Sequence, residues 1–444
     1  MSENQQAWWR EPTRGQWAAF SAAWVGWVLD AFDFTIFLLV GHEIGKEFGE
    51  TPVALAGSVT LTLLVRLLGG VVAGWMADRW GRKLPLMLSL LWFAAFDAAV
   101  YFAPSFMWIV VLRTIFGFGM GAEWTAGTAL AMESWPARSR GFASGMLQAG
   151  WPIGYLLAAV VTYFVVPTYG WRVMFLIAAV PALLVLPIRF MVPAEYGGKP
   201  VKHAASKGAL ADLMEPKVRR MLVLGSLVMG LGFLVYYGLV GSYGSMHAEL
   251  GIADDLSLNV VIFNLGMLVG VVCAGAVANR WGIVTALVVP ALAMVPCIPL
   301  FVGASPDLLP LGAFLGGALG VGYSGVTPVL TTSLFPEHVR ARAIGIVYHV
   351  GAFIGALAPV LVAQLAQSGL GHQWSIALVA GSALILMSLA VLVLRRDIAL
   401  PQTTTVTPPN GFAAGGEKLP AASAATALAP GVLDDSKAAA RLHA

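Results

Sequence analysis

Charge is what this chain has least of. Asp, Glu, Lys and Arg make up only 11% of its 444 residues, while 58% are hydrophobic. A water-soluble domain would carry about 25% charged residues. The shortfall excludes an ordinary soluble fold and makes the lipid bilayer the solvent. Cysteine is equally scarce: Cys273 and Cys297 both fall in apolar stretches, which excludes a disulfide framework, and no residue cluster reads as a metal site. The chain has no His-Glu-x-x-His, no Gly-x-x-x-x-Gly-Lys-Ser/Thr and no soluble stretch large enough to hold a nucleotide. It therefore reads neither as an enzyme nor as an ATP-driven pump, and it implies no cofactor, no metal and no nucleic-acid partner. No Asn-x-Ser/Thr acceptor occurs either, which with the short loops points to a bacterial cytoplasmic (inner) membrane.

What the chain does have is apolar runs long enough, at about 20 residues, to cross a hydrocarbon core of about 30 Å. Twelve are expected, over about 17–40, 53–77, 84–103, 106–133, 141–166, 171–192, 220–245, 256–278, 283–303, 308–334, 342–366 and 374–394. The first runs on for a full span and lacks a small-residue cleavage site, so it reads as a retained span and not a signal peptide. Basic residues gather in every second loop: Arg79, Arg82 and Lys83, then Arg138 and Arg140, Lys199 to Arg220, Arg340 and Arg342, and Arg395 and Arg396. By the positive-inside rule these loops and both termini are cytoplasmic. The expected fold class is an all-α integral membrane protein of twelve helices in two six-helix bundles. Its parts are a cytoplasmic N-terminus (1–16), a first bundle (17–192), a basic linker (193–219), a second bundle (220–396) and a tail without apolar periodicity (397–444), expected to be disordered.

The halves repeat. Gly74-Trp75-Met76-Ala77-Asp78-Arg79-Trp80-Gly81-Arg82-Lys83 returns as Gly275-Ala276-Val277-Ala278-Asn279-Arg280-Trp281-Gly282, and Pro136, Arg140 and Gly145 answer to Pro336, Arg340 and Gly345. Repeats on this scale mark many secondary transporters. Gly74 permits close helix approach, Asp78 sits where a helix ends, and Arg79, Arg82 and Lys83 offer donors to carboxylates and carbonyls of neighbouring helices. Twelve spans in two halves with Gly-x-x-x-Asp-Arg-x-Gly-Arg-Lys between the second and third resemble the major facilitator superfamily over about 16–396. The resemblance implies that Gly74, Asp78, Arg79, Gly81 and Arg82 latch one state of an alternating-access cycle and that the protein acts as a monomer. The second copy departs from the motif, with Asn279 for the acid and Ile283 for the second arginine.

A finer resemblance is carried by Trp27-Val28-Leu29-Asp30-Ala31-Phe32-Asp33-Phe34 and by Arg113-x-x-x-Gly117-x-Gly119-x-Gly121-x-Glu123-Trp124. Both are similar to the organic-acid:proton symporters of that superfamily, which include sialate, lactate and aromatic-acid carriers. The seventh span, reading Tyr236-Tyr237-Gly238-Leu239-Val240-Gly241-Ser242-Tyr243, lacks the polar signature of fungal lactate carriers.

A charge at mid-bilayer costs at least about 2.5–3.5 kcal/mol, so Asp30, Asp33, Arg66, Asp97, Arg113 and Glu123 need reasons to be there. All six lie in the first half; the spans of the second hold His349 alone among ionisable interior groups. At about 1.5 Å per residue, Asp30 and Arg66 share one depth and are expected to pair, with Asp33 on nearly the same helix face. Arg66 is the expected site for a substrate carboxylate, since a guanidinium stays charged and grips a carboxylate with two bonds. Asp30, Asp33 and Glu123 are the expected proton-coupling acids, Arg113 and Glu123 being equally open to a structural pairing. Asp97 is expected to be structural, and Glu133 to pair with loop arginines. Tyr236, Tyr237, Asn264, Tyr323 and His349 are the expected substrate contacts from the second half. The reading is proton-coupled uptake of a small organic anion, whether a monocarboxylate such as lactate or pyruvate, sialate or an aromatic acid. A drug–proton antiporter and a non-transporting membrane sensor stand as alternatives.

Overall fold

The computed structural model describes residues 8–179, 209–303 and 306–398, and every regular element among them is helical. The long helices are α1 (Arg14–Leu39), α2 (Pro52–Trp80), α3 (Lys83–Tyr101), α4 (Phe106–Ser134), α5 (Arg140–Gln148), α6 (Gly150–Tyr169), α7 (Pro216–Val240), α8 (Leu256–Trp281), α9 (Ile283–Met294), α10 (Thr327–Leu334), α11 (Arg340–Gly355) and α12 (Gly371–Leu394). Among the described residues, ten helical stretches are long and apolar enough to cross a membrane. One of them runs from Arg340 to Leu394 and covers both stretches expected at 342–366 and 374–394; its backbone turns at Gly369 (φ 101°) and Gly371 (φ 70°). The stretch expected at 171–192 is described only as far as Ala179, and most of the expected linker and tail lie outside the described residues.

Local chemistry sets the helix ends. Thr13 caps α1: its hydroxyl accepts from the Gln16 amide while the Gln16 side chain accepts from the Thr13 amide, a reciprocal capping box. The same Gln16 donates to the Ser134 carbonyl at 2.7 Å, tying the start of α1 to the end of α4. The repeated motif ends α2 and α8 in one way, with Gly81 (φ 95°) and Gly282 (φ 89°) closing the last turn in a conformation that side chains disfavour. At the opposite end, Glu47 binds Arg172 and accepts from Trp171 Nε1 at 2.7 Å. These hydrogen bonds, that of Arg172 foremost, hold its carboxyl below the usual carboxylate range.

The helices pack as the repeat requires. α4 is the hub of the first half, touching α1, α2 and α3, and α1 also packs on α6. In the second half α7 packs on α11 and α12, and α8 on α9 and on the segment from Leu309 to Val326. That segment is broken: an α-helical turn gives way to a π-helical stretch at Gly316–Val321 and a 3-10 stretch at Gly322–Val326 before α10. Irregular backbone at membrane depth is tolerated where it is buried in protein or lines a cavity, and this stretch does the latter. Leu64, Leu68, Phe164, Val289 and Leu389 are exposed on the outer surface, an apolar belt that suits lipid and not water.

Two helix pairs make the most extensive contact between the halves, α2 with α11 and α5 with α8. Both cross at glycine. A Cβ on Gly74 would stand 2.7 Å from Arg342 Cα, and one on Gly145 would stand 2.5 Å from the Val271 carbonyl oxygen and 3.0 Å from Gly275 Cα. Backbones that close gain dispersion contact only a glycine allows. Beside the second crossing, Ser144 of α5 ties the broken segment and α10 to the first half by donating to the Gly325 carbonyl at 2.7 Å and accepting from the Val329 amide at 3.2 Å. A Gly145→Val substitution is therefore expected to pry α5 from α8. Spin labels at Ala137 and Ser333, which line one cavity at the arginine-rich end from the two halves, would then report longer distances; an unchanged distribution would show that the seam does not depend on this contact.

Candidate functional site

Where the halves meet at mid-depth lies a cavity of about 50 Å³, room for a few water molecules. Half of its lining residues are aromatic: Trp27 and Phe34 from α1, Trp151 from α6, Phe233, Tyr236 and Tyr237 from α7, Tyr323 from the broken helix, and Tyr348 from α11. Gln148, Ser324 and Thr327 add polar groups, and among the described residues Arg66 is the one charged side chain lining it.

Arg66 is held from behind. Its Nη2 donates to Asp30 Oδ2 at 3.0 Å, with the two side chains 4% and 0% exposed, so the pair is shielded from water and only weakly screened. Its guanidinium lies 5.4 Å from the Tyr348 ring centroid, close enough for a cation–π attraction. Tyr348 stacks on Trp124 with centroids 3.9 Å apart and meets Phe233 and Trp27 edge-on. Arg66 Nε and Asp30 Oδ1 have no hydrogen-bond partner, which leaves a donor for an incoming anion and an acceptor for a proton.

Asp33 sits elsewhere. One turn along α1, it is buried beside Asp97 of α3 and Arg113 of α4, and neither it nor those partners line the cavity. Glu123 is buried on α4, accepts from the Ser89 hydroxyl at 3.3 Å and faces a small void walled by Trp27 and Trp124.

At the arginine-rich end, Asp78 Oδ2 accepts from Arg342 Nε at 2.7 Å, across the two halves of the repeat. Arg82 grips Glu133 through two bonds of 3.0 and 3.1 Å and donates to the Ala77 carbonyl at 2.7 Å. Arg340 reaches the same Glu133 at 3.3 Å. Arg79 takes a different course from the donor expected of it: exposed, it lies over the Trp75 and Trp80 rings at 5.5 and 5.6 Å.

Of the residues expected to contact substrate, Arg66, Tyr236, Tyr237 and Tyr323 come together at the cavity, and Asn264 and His349 do not line it. Asn264 turns back on its own helix and donates to the Val260 carbonyl at 2.9 Å. His349 Nε2 donates to the Gly121 carbonyl at 3.1 Å, and its ring occupies the space a Cβ on Gly70 would need. Neighbouring positions on a helix point about 100° apart, so Tyr348 takes the cavity face and His349 the packing face. Trp27, Trp151 and Phe233 are wall residues that sequence reasoning did not single out as substrate contacts; in a chain with 15 Trp and 22 Phe, nothing in their spacing separates a cavity ring from a packing ring.

The description Major Facilitator Superfamily matches residues 23–307 and 233–430. A probable 4-methylmuconolactone transporter of Cupriavidus pinatubonensis is 31% identical over 364 residues, covering 79% of this chain and 84% of its own length. The sialic acid transporter NanX of Escherichia coli is 29% identical over 393 residues, 86% of this chain and 95% of its own. The cis,cis-muconate transport protein of Acinetobacter baylyi is 30% identical over 365 residues, 79% and 88% respectively. Among solved structures, the proton:xylose symporter XylE bound to 6-bromo-6-deoxy-D-glucose shares the fold at a TM-score of 0.68 and 19% identity, over 86% of this chain and 96% of that one. The protein belongs to the major facilitator superfamily and is a multi-pass membrane transporter of that type, not an enzyme.

Proposed function

We propose that this transporter takes up a small, flat organic monocarboxylate together with protons by alternating access. In this reading the chain has twelve spans in two bundles of six (17–192 and 220–396), both termini in the cytoplasm, a bacterial inner-membrane location and a monomeric state. The observation that carries the reading is Arg66, the one charge in the described cavity wall, presented with a free Nε and already balanced by an acid. A substrate carboxylate arriving there competes with Asp30 for the guanidinium. Asp30, losing its counter-ion in a site poor in water, then takes a proton in place of the lost charge. Anion and proton enter as one neutral set, and both leave when the opposite side opens. Asp33 and Glu123 are further acids from which the first half draws protons.

The wall argues for the kind of acid. The flat faces of eight aromatic side chains suit stacking on a planar aromatic or conjugated acid better than on a puckered, polyhydroxylated one such as sialate. A second carboxylate would find no second cation among the described wall residues. Lipophilic cations are disfavoured by the same Arg66, which weighs against drug–proton antiport. The Asp78–Arg342 and Arg82–Glu133–Arg340 pairs close the arginine-rich end in this conformation and act as the latch that must open for release. The cavity is too small for such a substrate as it stands, so binding requires the ring wall to part.

Proteoliposomes holding a pH-sensitive dye test the reading directly. Adding benzoate-type acids without a pH gradient should drive proton influx, with hydroxylated acids and sugars giving far less; silence with every carboxylate and proton efflux on adding cationic drugs would put antiport in its place. Arg66→Lys keeps the charge but loses the planar fork, and its KM for the acid should rise about tenfold or more, equivalent to at least ~1.4 kcal/mol of lost binding. Asp30→Asn should still exchange labelled for unlabelled substrate but lose uphill accumulation. Wild-type accumulation by both variants, at equal amounts in the membrane, would sink the mechanism.

A further inference from the structure

A second buried charge cluster stands apart from the substrate cavity. Asp33, Asp97 and Arg113 come from α1, α3 and α4 and are 1%, 0% and 2% exposed. Arg113 Nη1 donates to Asp97 Oδ1 at 3.0 Å, and its Nη2 reaches the Asp33 backbone carbonyl at 3.5 Å. The rings of Phe116, Phe37 and Phe175 surround the guanidinium at 4.1, 5.1 and 5.9 Å. Of the four carboxyl oxygens only one receives a donor: Asp33 Oδ1, Asp33 Oδ2 and Asp97 Oδ2 have none. The two acids thus meet at one guanidinium, which touches the side chain of Asp97 and the backbone of Asp33.

The count of charges is decisive. Two ionised carboxylates against one guanidinium would leave a net negative charge in a dry, phenylalanine-lined site, at a cost of several kcal/mol. A single proton held between the carboxyls removes that charge and supplies the missing hydrogen bond, as in other buried acid pairs. Among the described residues, the other charged group near the pair is Asp30 on the same helix, and it is already matched to Arg66.

We propose that Asp33 and Asp97 form a dyad that holds one shared proton beside Arg113, and that this is a second protonation site, loaded from outside by a route separate from the substrate cavity. Phe37 marks the route. Its ring covers Arg113 and also lines a cavity of about 680 Å³ at the end away from the arginine-rich loops, whose rim carries His42, Lys46 and Glu50. A hydronium ion in that cavity gives its proton to a dyad oxygen and leaves as water; release to the other side reverses the step. Asp97 thereby becomes part of the proton machinery instead of a structural anchor. The role in transport rests on the symport reading above; the shared proton does not.

Infrared difference spectra of the purified carrier in lipid at neutral pH, without substrate, separate the two. The wild type should show a protonated-carboxyl band that disappears in both Asp33→Asn and Asp97→Asn, since each variant leaves one ionised acid for Arg113 and so keeps the site neutral. A band that survives in Asp97→Asn would mean Asp33 holds its proton unaided, and a wild type with no band beyond that of the double variant would mean both acids are ionised; either overturns the dyad. Its exchange with deuterium should quicken in Phe37→Ala, and an unchanged rate removes the route. With a transported acid in hand, the proton:substrate ratio from reversal potentials should fall by one in Asp97→Asn with KM held within about twofold. An unchanged ratio would make the proton a resident one and end the claim that the site cycles. Thermal unfolding guards against misfolding: both single variants should melt near the wild type, and the double variant, with Arg113 unpaired, well below it.

Discussion

The constraint on which this structure depends is the cost of an unbalanced charge in hydrocarbon. Two ion pairs at the centre of the first half answer it: Asp30 against Arg66, Asp97 against Arg113. Each arginine is also near more carboxyl than it can neutralise, Asp33 beside Arg113 and Glu123 beside the Asp30–Arg66 pair. A protein that only needed rigid helices would have filled these positions with leucine, since replacing a buried ion pair by apolar groups is often neutral or stabilising. Surplus acids around each guanidinium make sense where the proton count has to change. The second half bears no such burden, and what it offers the cavity is a wall of rings and hydroxyls from α7, the broken helix and α11.

The close contact between the halves answers to a different force. Between helices in lipid there is little hydrophobic drive, and packing and polar contacts must do the joining. Glycines at the two crossings bring backbones together, and the Asp78–Arg342 and Glu133 ion pairs add electrostatic closure at the rim. Such a seam is strong when shut and has no intermediate grip, because the contacts are short-ranged. It favours two arrangements over a continuum, as a switching interface must.

How much of this could be read from residues alone follows from the same physics. The duplication, the helical class and the Asp30–Arg66 pair were legible because each follows from a single physical effect: span length, loop charge, and equal depth for opposite charges. Helix ends were legible to a degree, since Gly81 and Gly282 mark them in both halves. The cavity wall was not. Tyr348 and His349 are adjacent, and the face each takes is set by the rotation of α11 against α2, which no local signal encodes. The Asp97–Arg113 pairing was equally opaque, because its partners lie on different helices and come close only once α3 and α4 have packed on each other. The broken helix at Gly316–Val326 hid behind an apolar run that reads as any other span.

The pair α2 and α11 links site and seam. α2 carries Arg66 in the cavity and Asp78 at the rim; α11 carries Tyr348 and Arg342 at the matching points. Between them His349 fills the gap left by Gly70. Tyr348 and Arg342 stand less than two turns apart, about 9 Å along the axis at 1.5 Å per residue, on one unbroken helix. An anion that claims Arg66 must therefore disturb the Tyr348 contact, and any tilt of α11 that makes room for it is transmitted to the Asp78–Arg342 bond by a stiff rod, without a relay of intermediate side chains. The ring stack of Tyr348 on Trp124 ties the same movement to α4, on which both Glu123 and Arg113 sit. In the proposed cycle, substrate, rim and buried acids thus bear on three helices in mutual contact, which is the mechanical condition for coupling one to another.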